Sequence, residues 1–592
     1  MTSKPALAVH QNIASYAVDL VTALGCDTVF SLTGGMAMYL NRAVAFHPTL
    51  KPVFCQHEQA CVAAAEGYAK ASDFRKPGFA VVTAGPGVSN SLTSLLSAYG
   101  DSTPLIVLAG QIKTEDIDPY GTRANGPQEI PSREIVTPCV KRFVRLSPAD
   151  FRETLAETIA EAIRGRPGPV FIEIPLDVQG KGFGYTEADI AEQVEKIRRL
   201  ARTANQIGQE KLEEALAVLL TAKRPVLYVG NGCRIAGVED TVVAFLREHS
   251  IPSVFSWLSF DILPADDPLY FGCPGGLAPI SANEVISHAD VIVFLGARLD
   301  LGTTAFQRAD FGAQATRYFV DIDTHELAKF DGYRSTVQVH ADLRGLPPVV
   351  SNLKLRNGAA SEDWVPWCVS RRGAYLAEER ARLGTGVMNV YNLTQRISKW
   401  SGGKVIVPAS SGYAEETFSR FFEPQAGTRF FNGASLGAMG LGLPHAIGAA
   451  FGSRRSVVCL EADGGIMLNL QELATLRHYA PPGFVILLLN NGGYESIRAS
   501  QTRHFGIVSG VDADSGVYIP DFGKICHAFG LSYQEASSLD DVERILPTLD
   551  ERKTPILVNL HIPNFEHRGP GVKTTMGPDG KPSTTPLSEI SW

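Results

Sequence analysis

No Cys-x-x-Cys pair occurs among the nine cysteines of this 592-residue chain (Cys26, Cys55, Cys61, Cys139, Cys233, Cys273, Cys368, Cys459 and Cys526). Their scatter suits reduced, mostly buried thiols and a cytoplasmic location. The longest apolar stretches, such as Phe484 to Leu489, are far too short to span a bilayer, and Met1-Thr-Ser-Lys-Pro5 lacks a signal-peptide core. There is no long basic run, and the net charge is −8, so neither nucleic acid nor a membrane is an expected partner. No tandem repeat or low-complexity tract stands out.

What is present is a strand, glycine, helix rhythm. With 45% hydrophobic residues, the chain has core enough for three or four domains. Thr83 to Asn90, Leu105 to Gly110 and Val170 to Pro175 punctuate a first α/β unit, and Gly182 to Gln209 reads as a polar, charge-rich connector. Arg224 to Gly232, Val291 to Arg298 and Phe319 to Asp323 mark a second unit of dinucleotide type, and Ser351 to Glu362 reads as another linker. The expectation is an α/β protein with three doubly wound parallel-sheet domains, at 1–182, 205–350 and 370–592, the first and last sharing a fold.

The richest segment is Glu461-Ala-Asp-Gly-Gly-Ile-Met-Leu-Asn-Leu-Gln-Glu-Leu473, followed by Leu489-Asn-Asn-Gly-Gly-Tyr494. Ser456 to Leu460 reads as a buried strand, Asp463-Gly464-Gly465 as a loop, Leu468 to Tyr479 as a helix and Phe484 to Leu489 as a second strand. Open α/β sheets bind ligands at the carboxyl ends of their strands, which brings Asp463 and Asn490-Asn491 into one crevice. A carboxylate, an amide oxygen and backbone carbonyls are hard ligands suited to Mg²⁺ shared with a diphosphate. Gly464 and Gly465 let the backbone approach phosphates. Taken alone, the segment is equally an ordinary βα turn followed by an Asn-Gly turn.

This pattern resembles the thiamine-diphosphate motif, and Asn491 stands 28 positions after Asp463, as that family has it. The resemblance implies Asp463, Asn491 and the Gly493 carbonyl as metal ligands. Ala462 departs from it, standing where the family usually has its first glycine. His57-Glu-Gln-Ala-Cys-Val-Ala-Ala-Ala-Glu-Gly-Tyr-Ala69, after a short strand at Lys51 to Cys55, resembles the acetohydroxyacid synthase branch. Glu58 is then the catalytic carboxyl against the cofactor pyrimidine, opening a helix with a tightly packed alanine face. An isolated glutamate there would instead simply favour the helix dipole.

Gly433-Ala-Ser-Leu-Gly-Ala-Met-Gly440 resembles the segment holding the cofactor bent, with Met439 as its apolar pillar and the Gly437 carbonyl accepting from its amino group. A methionine among glycines is otherwise plain packing. Gln111 follows the strand Leu105 to Ala109 as in the synthases, where the glutamine lies near the reaction centre. In the central unit, Gly230, Gly232, Ser256-Trp257, Gly296, Arg298 and Asp321 fall where the synthases contact FAD, with Arg298 able to pair with a pyrophosphate.

No His-His pair occurs, whereas simple keto-acid decarboxylases of this kind carry one. The resemblance therefore implies a carboligase that decarboxylates pyruvate, or a related 2-keto acid, and passes the acyl unit to a ketone or 2-keto acid. Thr33 to Met38, Asn125 to Glu129, Asn491 to Arg498 and Ser583 to Ile590 look like a narrower subgroup of flavin-containing enzymes acting on ketones or ketosugars. The alternatives are an acetolactate synthase proper, a flavin-linked pyruvate oxidase and a non-catalytic binding subunit. Glu495 and Arg498 either line the acceptor side or are surface charges. The family builds its site between subunits, which implies a homodimer or homotetramer.

Overall fold

Alternation of apolar strands with helices produces three parallel sheets in the computed structural model, which describes residues 11–202, 207–276, 278–353, 362–384, 386–564, 569–572, 574–576 and 582–590. The first has six strands in the spatial order Lys51–Phe54, Thr28–Ser31, Gly78–Val82, Leu105–Gln111, Pro169–Pro175, Arg142–Arg145. The last runs Arg429–Phe430, Val405–Pro408, Val457–Ala462, Phe484–Asn490, Ile556–His561, Ser532–Ala536. Numbered along the chain, both orders are 2-1-3-4-6-5, so these domains share a topology as expected. The central strands are almost wholly buried because helices cover both faces, which is why they read as continuous apolar runs.

The middle sheet has five parallel strands in the spatial order Thr336–His340, Thr316–Asp321, Val291–Leu295, Pro225–Val229, Ser253–Phe255. Its first and third strands in the chain are neighbours, and their connections leave in opposite directions. A crevice opens there, at Gly232 and Gly296.

The outer domains meet through two helices, Glu58–Ala71 and Gly442–Gly452. A β-carbon on Gly448 would come 1.8 Å from the Ala64 carbonyl oxygen, and one on Gly67 would come 2.1 Å from that of His445. Small residues at this crossing therefore set the distance between backbones, and the expected alanine face is real. Arg234 and Asp261 of the middle domain join the others, Arg234 reaching Asp73 at 3.2 Å and Asp261 holding Arg429 at 3.1 Å. Removing one partner from such a buried group typically costs about 3–5 kcal/mol.

Three local expectations need correction. The polar connector contains a helix, Glu187–Ala201, whose Ile190, Val194 and Ile197 sit in the first domain's core. Its apolar stripe at helical spacing lay hidden among charges. Asp463 opens a short helix, Asp463–Ile466, rather than a loop, and the next helix begins only at Glu472 after a tight turn at Met467–Asn469. Residue 370 falls inside the helix Trp364–Leu383, whose Trp364 and Cys368 pack into the middle domain's core. Most of the Ser351 to Glu362 linker lies outside the described residues.

Candidate active site

Parallel register sets the strand ends carrying Asp463 and Asn491 side by side, Ala462 opposite Leu489. Asp463 is fully buried. Its Oδ1 accepts the Gly464 N–H at 2.6 Å, and its Oδ2 accepts those of Asn491, Gly492 and Gly493 at 3.1, 2.7 and 3.0 Å. Burial pushes its carboxyl up to about 6 against the pull of these four donors. One carboxylate thus gathers the whole turn that carries the other expected ligands.

Asn491 Oδ1 is buried and accepts no hydrogen bond from the described residues, an acceptor left for a cation. Among the described residues no group of three or more His, Cys, Asp or Glu side chains converges. The donors at this turn are instead one carboxylate, one amide oxygen and main-chain carbonyls, a set that fits Mg²⁺. Glycine is required here by the protein's own packing. A β-carbon on Gly493, at φ +152°, would meet the Val511 oxygen at 2.0 Å, and one on Gly464 would meet the Tyr494 ring at 2.3 Å. Ala462 has extended backbone, φ −100° and ψ 152°, so nothing in its conformation demands the family's glycine.

Glu58 is the first residue of its helix and is buried, with Oε2 accepting the Asn90 Nδ2–H at 3.0 Å. Asn469 ties this region to the pillar segment, donating from Nδ2 to Gln59 Oε1 at 3.1 Å and to the Gly440 carbonyl at 2.8 Å. Met439 is half-buried, and Gly437 is exposed with φ +63°. Within one chain, Glu58 and Asp463 share no hydrogen-bond partner among the described residues. Gln111 is fully buried, and its amide is engaged inward, with Nε2 donating to Glu173 Oε1 at 2.9 Å and Oε1 accepting the Ile112 N–H at 2.9 Å.

The middle-domain crevice opens into a cavity of about 800 Å³, with walls from all three domains. Gly232, Gly296, Arg298 and Asp321 line it. Gly230 and Gly232 lie so close to Gly296 that a β-carbon on Gly230 would come 2.0 Å from its oxygen, so these glycines first serve the meeting of two strand ends. Arg298 donates to the Gly100 carbonyl at 2.8 Å and pairs with Asp300 at 3.2 Å. Burial raises Asp321 to about 6. Tyr228 Oη, Asn231 Oδ1 and Arg308 Nε are buried polar atoms of the lining without partners among the described residues, which fits a polar ligand such as a dinucleotide.

Several groups around these sites escaped the sequence reading. Glu461 is fully buried against the start of the Gly442–Gly452 helix, where a β-carbon on Gly442 would come 2.3 Å from its Oε1. Burial pushes it up to about 7, opposed by the N–H groups of Ala462, Leu443 and Gly442. Lys70, also fully buried, bonds to Glu66 at 2.7 Å, to Asp101 at 2.6 Å and to the Asn432 carbonyl at 2.6 Å. In sequence, Glu66 and Lys70 look like an ordinary exposed i,i+4 pair. Glu495 and Arg498 are each only 3% exposed and are not surface charges.

Residues 11–134, 212–351 and 410–560 match, in order, the thiamine pyrophosphate enzyme N-terminal TPP binding domain, central domain and C-terminal TPP binding domain. The chain is 28% identical over 584 residues to the acetolactate synthase isozyme 2 large subunit of Escherichia coli (strain K12), covering 98% of this chain and all of that one. It is 28% identical over 571 residues to the chloroplastic acetolactate synthase of Arabidopsis thaliana, covering 94% and 82% of the two chains. The acetolactate synthase large subunit of Haemophilus influenzae is 27% identical over 551 residues, 92% and 93% of the two.

Proposed function

Because the chain belongs to the thiamine pyrophosphate enzymes, in their acetolactate-synthase-like branch, we propose that it is a carboligase using pyruvate or a related 2-keto acid as donor and a carbonyl compound as acceptor. The observation that carries the cofactor site is the Asp463 turn with its unsatisfied Asn491 oxygen. In this reading Asp463, Asn491 and the Gly493 carbonyl hold Mg²⁺, with Gly464 and Gly465 leaving the backbone open to a diphosphate. Bound thiamine diphosphate supplies the centre that accepts the electron pair released when the 2-keto acid loses CO₂.

The chain's own part is orientation and proton handling. Glu58, braced by Asn90, would offer its carboxyl to the pyrimidine of the bound cofactor and hold a proton there. Met439 would support the cofactor from below, and the Gly437 carbonyl would accept a hydrogen bond from its amino group. Gln111 acts through its bonds to Glu173 and the Ile112 N–H, which hold the end of its strand. The absence of a His-His pair favours carbon–carbon bond formation over simple protonation.

FAD is the proposed ligand of the central cavity, with Gly230, Gly232, Gly296, Arg298 and Asp321 around it. The cavity's size and its unpartnered Tyr228, Asn231 and Arg308 atoms support that reading. A homodimer or homotetramer with sites between subunits is supported by apolar side chains left exposed on site elements, Leu436, Leu468 and Ile497. No described helix is long and apolar enough to cross a membrane, and nine buried free thiols suit a cytoplasmic location.

Acceptor choice divides two readings. The relatives' names favour pyruvate as its own acceptor, giving acetolactate. The segments Thr33 to Met38, Asn125 to Glu129, Asn491 to Arg498 and Ser583 to Ile590 favour a ketone or ketosugar. Product analysis with thiamine diphosphate, Mg²⁺ and pyruvate, with and without a ketone panel, separates them. Acetolactate from pyruvate alone supports the first, and a tertiary alcohol formed only with a ketone supports the second. No CO₂ from pyruvate under any condition removes pyruvate as donor.

A further inference from the structure

The Asn491–Gly493 turn meets Arg498 as well as Asp463. Arg498 belongs to the helix Glu495–Phe505, which starts two residues after Gly493. Its guanidinium turns back toward the turn, with Nη2 3.5 Å from the Gly492 carbonyl oxygen and 3.0 Å from where a Gly493 β-carbon would stand. Nη1 donates to Asn564 Oδ1 at 2.9 Å and pairs with Glu495 Oε2 at 2.5 Å, and Nε donates to Asp512 Oδ2 at 3.2 Å.

Asp512 belongs to the segment that backs the same turn. Tyr494 N–H donates to the Val511 carbonyl at 2.8 Å, and Gly493 forms an antiparallel bridge with Asp512. The turn is thus held between the Asp463 carboxylate and the paired unit of Arg498 and Asp512. A planar fork of donors reaches scattered acceptors simultaneously, which a lysine ammonium on a flexible stem cannot reproduce.

We propose that Arg498 is a positioning residue for the metal site, fixing the Asn491–Gly493 backbone so that the Asn491 amide and the Gly493 carbonyl face one cation. This rests on the metal reading given above. Groups behind metal ligands typically contribute about 10–100-fold in metal affinity, and an effect in that range is expected here.

The test is titration of the full-length protein with Mn²⁺ in the presence of thiamine diphosphate, counting free Mn²⁺ by electron paramagnetic resonance. Wild type, Arg498→Lys and Asp512→Asn are compared, with the melting temperature of each metal-free protein measured in parallel. Support is a rise in the Mn²⁺ dissociation constant of about 10-fold or more in Arg498→Lys, with a smaller rise in Asp512→Asn. Unchanged Mn²⁺ affinity in both variants, with only a lower melting temperature, would assign Arg498 to stability alone and overturn the proposal. Wild type that binds no Mn²⁺ with the cofactor removes the metal reading itself, and the proposal with it.

Discussion

His445 Nε2 lies 3.0 Å from Glu66 Oε2 where the first and last domains cross, and both side chains are fully buried. Burial alone would raise the Glu66 carboxyl, but Lys70 and His445 beside it bring it down to about 2. In the unfolded chain a glutamate titrates near ~4.3, so the native state prefers the ionised form. That preference stabilises the fold above this value and is lost as pH falls toward 2. Wild type should therefore lose melting temperature steeply between pH ~4.5 and ~2. Glu66→Gln should start lower and fall less steeply, and parallel curves would show that the pair carries no such linkage.

Glu58→Gln keeps the size and the contact with Asn90 while removing the ionisable group. Turnover should fall by about 10²–10⁴-fold, the usual range for a positioned acid or base. Thiamine diphosphate binding, followed by tryptophan fluorescence or calorimetry, should survive. Retained turnover in the variant would take the catalytic role away from this residue.

Two small substitutions beside each other in space should behave oppositely. Ala462→Gly frees an extended residue and should cost at most about 1 kcal/mol with cofactor affinity nearly unchanged. Gly493→Ala drives a methyl to 2.0 Å from the Val511 oxygen, so the metal turn must move. Metal and cofactor affinities should collapse in that variant, measured by the same titrations. Equal effects of the two changes would contradict the packing argument.

Purified protein should carry about one flavin per chain, read from its visible absorbance, if the central cavity of about 800 Å³ holds FAD. Asn231→Leu fills the position of a buried, unpartnered oxygen with an apolar group and should lower that occupancy. Wild type that is colourless and gains no melting temperature with added FAD would exclude the flavin reading.

Much of the fold was legible because parallel strands, buried on both faces, leave continuous apolar runs between glycine-bearing turns. The meeting of Asp463 and Asn491 at one turn was legible for the same reason, since a strand end fixes where the next residues point. Lys70 and Glu66 were not, because the spacing of a solvated helical pair is also that of a pair buried under another domain. For Arg498 two readings stayed open, because its partners Asp512 and Asn564 lie beyond its own helix and no local spacing announces them.

The sequence by itself determined three α/β domains, the polar residues at their strand ends and the donor chemistry of one turn, since these follow from local periodicity and residue type. Only the tertiary structure decided which glycines are obligatory, through approaches such as Gly448 to Ala64 and Gly493 to Val511. It also decided that Lys70, Glu66, Glu461 and Arg498 are buried. Burial and close approach depend on which distant segments meet, and no local pattern of side chains encodes that.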